Sequence, residues 1–401
     1  MAGRLKHGSV GLAALTDEPR EKDASRALTC ACGVIICVVL IVLFGLTMLY
    51  STSYGLVGTR FFSMQLLWGG IGLAAALAVV AVGYKFLSDH SRILAAVVFV
   101  LLISCLAFKP VNGAQRWIRL FGFSLQPSEL AKPVLSLLLA WYCSKNFRTI
   151  HVVFSRNGVL PAFGMSAVII GGVLAGQDLG TSMLLAAVML TILFVAGAGL
   201  RWVLLAGGGV GLLFLFLPQI SAVRWQRVVS FTEPEKYASG EGYQLWNSLM
   251  ALGSGKWTGV GFMASRMKAR YLPEAHTDFI LAVVGEELGL ISLILVMLAY
   301  LTFTFFGLGI AMSARTRQGM FLALGLTATI ALQAVINIGV VSGALPTKGI
   351  PAPMISYGGS NLLSCMICAG LLISVALDTI TPDYNRELKE WISSGFRKKR
   401  R

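Results

Sequence analysis

Apolar residues run through this chain in long unbroken stretches, with short polar breaks between them. The stretches cover about 28–50, 61–84, 93–108, 127–143, 158–176, 179–197, 200–219, 280–309, 319–342 and 358–378. A helix crossing a bilayer needs roughly 20 mainly apolar residues. The pattern therefore predicts an all-α polytopic membrane protein of about ten transmembrane helices. Residues 1–27 read as a polar N-terminal tail, 28–378 as the membrane domain and 379–401 as a basic C-terminal tail. Residues 220–277, between the seventh and eighth helices, read as one large loop.

Composition agrees: 56% of the 401 residues are hydrophobic and 13% charged, against about 25% charged in a soluble domain. The net charge of +15 does not point to nucleic acid, because the basic residues sit in tails and in loops between apolar runs. With the N-terminus inside, the inner segments hold 20 of the 33 Lys and Arg residues. That is the positive-inside pattern, and it predicts both termini in the cytoplasm and the large loop outside. Between His90 and Leu377 the acids are Glu129, Asp178, Glu233, Glu235, Glu241, Glu274, Asp278, Glu286 and Glu287. On this topology all fall on the outer side, so the chemistry is expected there. The seven cysteines lie in or beside apolar runs and suggest no outer disulfide framework.

Four polar clusters fall at the expected outer face. In Asn112–Lys132, Pro127 suits a helix start, and Glu129 and Lys132 share a helix face at i and i+3. They read either as a structural ion pair or as a pair holding and orienting an anionic head group. In Gly176–Thr181, Asp178 stands where a helix N-terminus favours negative charge. The large loop offers Arg224 and Arg227 beside Trp225, then cations that converge on Glu274, His276 and Asp278. Gly343–Ser360 is too rich in Pro and Gly for a regular helix and presents Lys348 and Ser356; irregular backbone at membrane depth is tolerated where it lines a cavity. Asn337, within a span, reads as a packing hydrogen bond. Ionisable groups at the edge of hydrocarbon are costly and mark function.

A cationic outward cavity with a carboxylate at its rim suits a diphosphate-linked lipid. Cations neutralise the leaving group, and the carboxylate takes a proton from an attacking hydroxyl. Asp278 is the better base by position, although composition leaves Glu274 and His276 eligible. A lipid flippase or a non-catalytic scaffold would share the hydropathy. A flippase calls for charged contacts in the inner half of the membrane, whereas the mid-chain acids here cluster outside.

The segments QPSELAK (126–132), GQDLGTS (176–182), RWQRVVSF, GYQLWNSLMALGSG (242–255), YLPEAHTDF (271–279), GEELG (285–289), QAVINIGV (333–340) and GALPTKGIPAPMISYGGS (343–360) together resemble the SEDS family of bacterial cell-wall polymerases. They occur in the family's order from the fourth span to the tenth. PTKG and QPSEL resemble the division branch more than the elongation branch, while Pro351 resembles the latter. Asn247, Lys256, Ala352 and Asn361 depart from the usual pattern. The resemblance implies an inverting peptidoglycan glycosyltransferase in the bacterial cytoplasmic membrane, polymerising lipid II into glycan strands during division. It implies Asp278 as catalytic residue and Glu129, Lys132, Lys348 and Ser356 as site residues; with Arg224, Arg227 and His276, candidates by their own positions, these are the expected substrate-binding residues. A divalent cation (Mg or Mn) is a candidate cofactor that could assist the leaving group, and no organic cofactor is expected. The partners implied are lipid II, the lipid-linked glycan strand, a class B penicillin-binding transpeptidase and other division proteins.

Overall fold

The computed structural model describes residues 21–108, 114–120, 123–153, 155–216, 229–240, 242–382 and 384. In chain order the helices are α1 (Glu21–Val57), α2 (Arg60–Val82), the short α3 (Tyr84–Asp89), α4 (Ser91–Ser104), α5 (Pro127–Lys145), α6 (Val159–Ala175), α7 (Leu179–Val195), α8 (Leu200–Phe216), α9 (Tyr243–Gly255), α10 (Met267–Arg270), α11 (Ile280–Ser313), α12 (Arg317–Val341) and α13 (Gly359–Ile380). Each of the ten apolar runs coincides with a helix. Among the described residues α1, α2, α11, α12 and α13 are long and apolar enough to cross a membrane, and shorter apolar helices accompany them.

Three departures from the sequence reading have physical causes. Helix α1 begins at Glu21, before its apolar run, and Glu21 and Asp23 in its first turn complement the helix dipole. A small hairpin precedes α5: β1 (Ile118–Leu120) pairs antiparallel with β2 (Phe123–Leu125), Arg119 facing Ser124. The described end of the large loop is not loose, because α9 and the residues after it fold onto α11 and bury Leu245, Asn247, Ser248 and Ala251.

Helix α5 is the hub. It packs against α4, α6, α7, α12 and α13 and is buried along nearly its whole length. The outer helices carry the lipid-facing side chains: Leu40 on α1 is 60% exposed, Leu77 on α2 62% and Phe305 on α11 68%. Lipid is as apolar as leucine, so interior contacts rely on packing and on polar groups that find partners. At the end of α13 away from Asp278, Asp378 pairs with Lys85 at 2.6 Å and accepts from Tyr84 Oη.

Candidate active site

The site forms where five segments meet: the stretch leading into β1, the first turns of α5 and of α7, the loop before α11, and the irregular 343–358 segment. Asp278 is half-buried in the turn that ends at α11. Its backbone is fixed from below. Asn337 on α12 donates to the carbonyl oxygens of both Asp278 and Ile350, each at 2.8 Å. One amide thus ties the loop before α11 to the Pro-rich segment. Preceding Asp278, Glu274 takes φ of +56°, and its carbonyl receives the Thr277 and Phe279 amides. A side chain held at positive φ is strained, and such strain gathers at functional sites.

The carboxylate of Asp278 accepts no hydrogen bond from the described residues. Gly349 lies against it: a β-carbon there would stand 2.8 Å from Asp278 Oδ2 and 3.8 Å from Arg116 Nη2. Only a glycine leaves that space between acid and guanidinium. Burial pushes the Asp278 carboxyl up to about 7; Arg116 opposes the rise, while Glu274, Asp178 and Glu129 add to it. Burial also lowers the His276 imidazole, with Glu274 partly opposing, and pushes the Lys348 ammonium down to about 8.

Arg116 reaches a second acid, Asp178, at 3.8 Å. Asp178 caps α7 by accepting from the Thr181 amide at 3.1 Å. It also accepts from Gln126 Nε2 and Ser128 Oγ, both at 2.9 Å. Capping therefore describes Asp178, and the residue further anchors Arg116. Arg116 Nε, Asn337 Oδ1 and Thr347 Oγ1 are buried here without a partner. Buried polar atoms are normally satisfied, and these three, two donors and the acceptor Asn337 Oδ1, are exceptions gathered around one acid.

The other sequence candidates fall as follows. Glu129 and Lys132 form an ion pair at 2.7 Å, each side chain 3% exposed or less. Lys132 also donates to Gln333 Oε1 at 2.8 Å, and Gln333 donates on to the Pro351 carbonyl and to Asn361 Oδ1. The pair sits at the interface of α5, α12 and α13 and supports the Pro-rich segment from beneath. The Lys132 ammonium is enclosed by its own partners, Glu129 and Gln333. Ser356 is enclosed likewise. It is fully buried, donates to the Thr277 carbonyl at 2.6 Å and accepts from the Ala352 amide at 2.8 Å, so it joins two loops and has no hydrogen left for an anion. The His276 ring stacks on Phe61 at 4.7 Å, and its carbonyl receives the Tyr357 amide. The Lys348 ammonium rests against Met183 Sδ on α7. Arg224 and Arg227 lie outside the described residues. Arg116, Gln126 and Asn337 belong to the site although none was a sequence candidate for it. The available signal was a loop arginine and two amides inside or beside apolar runs.

Among the described residues no group of three His, Cys, Asp or Glu side chains is placed to hold a metal ion. Asp178 and Glu129 are committed to donors. Among the described residues the donor set does not form a protein cage for a divalent cation.

A second acid pair follows close by. On α11, Glu287 accepts from Ser51 Oγ at 2.6 Å, from the Met263 amide at 3.0 Å and from Lys268 Nζ at 2.5 Å. Glu286 accepts from Ser265 Oγ and from the Arg266 amide at 2.9 Å. The two glutamates clip the 256–268 loop onto α11. Where the loop crosses, Gly289 breaks the helix with φ of 77° and ψ of −176°.

Comparison with known proteins agrees with this architecture. Residues 31–380 match the cell cycle protein family FtsW/RodA/SpoVE. The chain belongs to this family. It is 36% identical over 351 residues to a probable peptidoglycan glycosyltransferase FtsW of Trichlorobacter lovleyi, covering 85% of this chain and 92% of the relative. It is also 36% identical to stage V sporulation protein E of Bacillus subtilis, covering 85% and 95%. A solved chain from work on a peptidoglycan synthase complex that coordinates polymerization and crosslinking superposes with a TM-score of 0.73 at 25% identity, covering 87% and 98%. The rod shape determining protein RodA of Thermus thermophilus shares the fold, with a TM-score of 0.65 at 24% identity, covering 86% and 96%. Like these FtsW-family proteins, the chain is a membrane-embedded bacterial protein.

Proposed function

We propose that this peptidoglycan glycosyltransferase uses Asp278 as general base. The carboxylate removes the proton from the 4-hydroxyl of an incoming lipid II sugar. That oxygen attacks the anomeric carbon of the lipid-linked strand. The bond from that carbon to the diphosphate oxygen breaks, and undecaprenyl diphosphate leaves with the electron pair and with inversion. Arg116 is the cation beside the carboxylate and can meet a diphosphate, and Lys348 is a further candidate for that contact. Pre-placed charges of this kind are often the largest contribution to rate. Arg224 and Arg227 remain candidates for the same contact.

One observation carries the base assignment: the Asp278 carboxylate accepts no hydrogen bond from the described residues, while Asp178, Glu129, Glu286 and Glu287 are each held by donors. A base with its oxygens free and an acidity near neutral suits proton removal. Work at the outer side of the cytoplasmic membrane follows from the charge asymmetry of the chain. Action at the septum with a class B penicillin-binding transpeptidase is supported by relatives named FtsW and by the solved chain from a synthase complex.

The test is lipid II polymerisation by purified protein with its transpeptidase, wild type against Asp278→Asn, at matched expression and partner binding. Strands from wild type and none from the variant are expected. Equal polymerisation by both would remove Asp278 from the role and bring forward Glu274 or His276.

A further inference from the structure

The end of α5 remote from Asp278 carries a different kind of site. Helix α5 has 19 residues, about 28 Å at 1.5 Å per residue, so its two ends lie close to opposite faces of the hydrocarbon layer. Beyond its C-terminal end is a cavity of about 460 Å³ whose lining includes Lys145, Asn146, Phe147, Arg148, Asn157 and Arg317. Three of these are cations: Lys145 and Arg148 are neighbours in sequence, and Arg317 is brought to them from the start of α12. Among the described residues no carboxylate lies within ion-pair reach of any of them. Asp378, an acid of the same face, is taken by Lys85.

The cavity is built, not merely lined. Lys145 Nζ sits 4.7 Å from the centre of the Trp141 ring, and Arg317 lies 4.1 Å from that of Phe147. Aromatic faces attract and orient cations. Thr149 Oγ1 donates to the Asn157 carbonyl at 2.9 Å, and Tyr142 Oη donates to that of Gly158 at 2.7 Å, so the loop closing the cavity is pinned at two points. A cation near the C-terminus of a helix suits its dipole, which accounts for Lys145 alone. It does not account for three cations facing one polar cavity with no acid between them.

We propose that this cavity binds the phosphodiester head group of an anionic phospholipid from the inner leaflet. Its size falls in the range of small-molecule sites. Basic pockets between transmembrane helices on the cytoplasmic side suit anionic head groups. Trp141, half-buried beside it, is a residue type enriched at the membrane–water boundary. The lipid would anchor α5 at the end opposite its contacts with the catalytic residues. The choice of leaflet rests on the positive-inside asymmetry; the binding itself does not.

The experiment is native mass spectrometry of the full chain taken from mixed phosphatidylglycerol and phosphatidylcholine bilayers. Wild type is compared with Lys145→Gln/Arg148→Gln/Arg317→Gln and with a control, Arg201→Gln/Lys256→Gln, that removes exposed cations elsewhere. A cation beside an anionic lipid contributes about fivefold, so the triple variant should retain phosphatidylglycerol about 10²-fold more weakly and the control should match wild type. Arg148→Gln alone, at an exposed position, should lose about fivefold and gives the reading if the triple variant does not fold. Retention unchanged in the triple variant, or in Arg148→Gln where only that variant folds, overturns the proposal. So does equal loss in the control. Full displacement of the lipid by inorganic phosphate, with phosphate bound in its place, overturns the lipid assignment in favour of a soluble ion.

Discussion

Asp278 and Glu287 stand at the two ends of one short stretch, and the fold treats them in opposite ways. Glu287 is completely buried and receives a hydroxyl, backbone amides and an ammonium. Asp278 is half-buried and receives no hydrogen bond from the described residues; its nearest compensation is the field of Arg116. A carboxylate supplied with donors holds structure together. One deprived of them is held near neutrality and keeps its oxygens for a reactant. Proximity in sequence therefore says little about role; the count of donors does.

The sharpest way to break the contrast is to remove each carboxylate. Asp278→Asn should lower lipid II polymerisation by at least about 10²- to 10⁴-fold, the usual range for a general base, while the protein stays folded. It should even unfold at higher temperature than wild type at pH 8. The sign follows from the raised pKa: the fold favours the protonated acid, so wild-type stability from this group is present below the unfolded value and is lost as pH rises through about 7. The gain should vanish at pH 4. Thermal melts at the two pH values check this. Glu287→Ala should do the reverse, costing about 3–5 kcal/mol of stability by leaving Lys268 uncompensated. Its activity should fall with the amount of folded protein, as read from specific activity per folded molecule.

Gly349→Ala places a methyl group against Asp278 Oδ2 and sharpens the comparison without touching a charge. Turnover should fall about 10²-fold, the cost of roughly an ångström of misplacement, with little change in melting temperature. A smaller effect concerns pH. Polymerisation should rise with pH through a midpoint near 7 as the base ionises. Arg116→Gln should move that midpoint up and Glu274→Gln should move it down, because the first group favours the ionised acid and the second opposes it. Rate profiles of the three proteins decide this. The smallest change is Ser356→Ala, about 1–3 kcal/mol of stability for the orphaned Ala352 amide and Thr277 carbonyl, measured by thermal unfolding.

The helices were legible because hydrocarbon thickness imposes a run length, and each run became a helix. The hairpin before α5 was not, since strands of three residues carry no periodic signal. Asp278 was singled out by its place beside an apolar run and by the HTDF resemblance. The bond from Ser356 to the Thr277 carbonyl was not legible, because a hydroxyl in a Gly-rich segment carries no sign of a partner 79 residues away. Arg116 went unassigned because loop cations beside aromatics ordinarily anchor a protein to its membrane. The Glu286–Glu287 clip needs backbone amides and a distant Ser51, and no residue pattern within GEELG announces those.

Gly289 limits how this chain can vary over generations. Any side chain there would run into the Trp257 carbonyl and the Thr258 and Gly259 amides, on a backbone conformation L-residues rarely adopt. Two turns further on, Leu295 and Leu298 face lipid at 61% and 49% exposure, where any apolar shape serves. One helix thus offers selection two neighbouring regimes: a glycine at which inheritance has no alternatives, and a greasy flank along which sequences can drift almost without consequence.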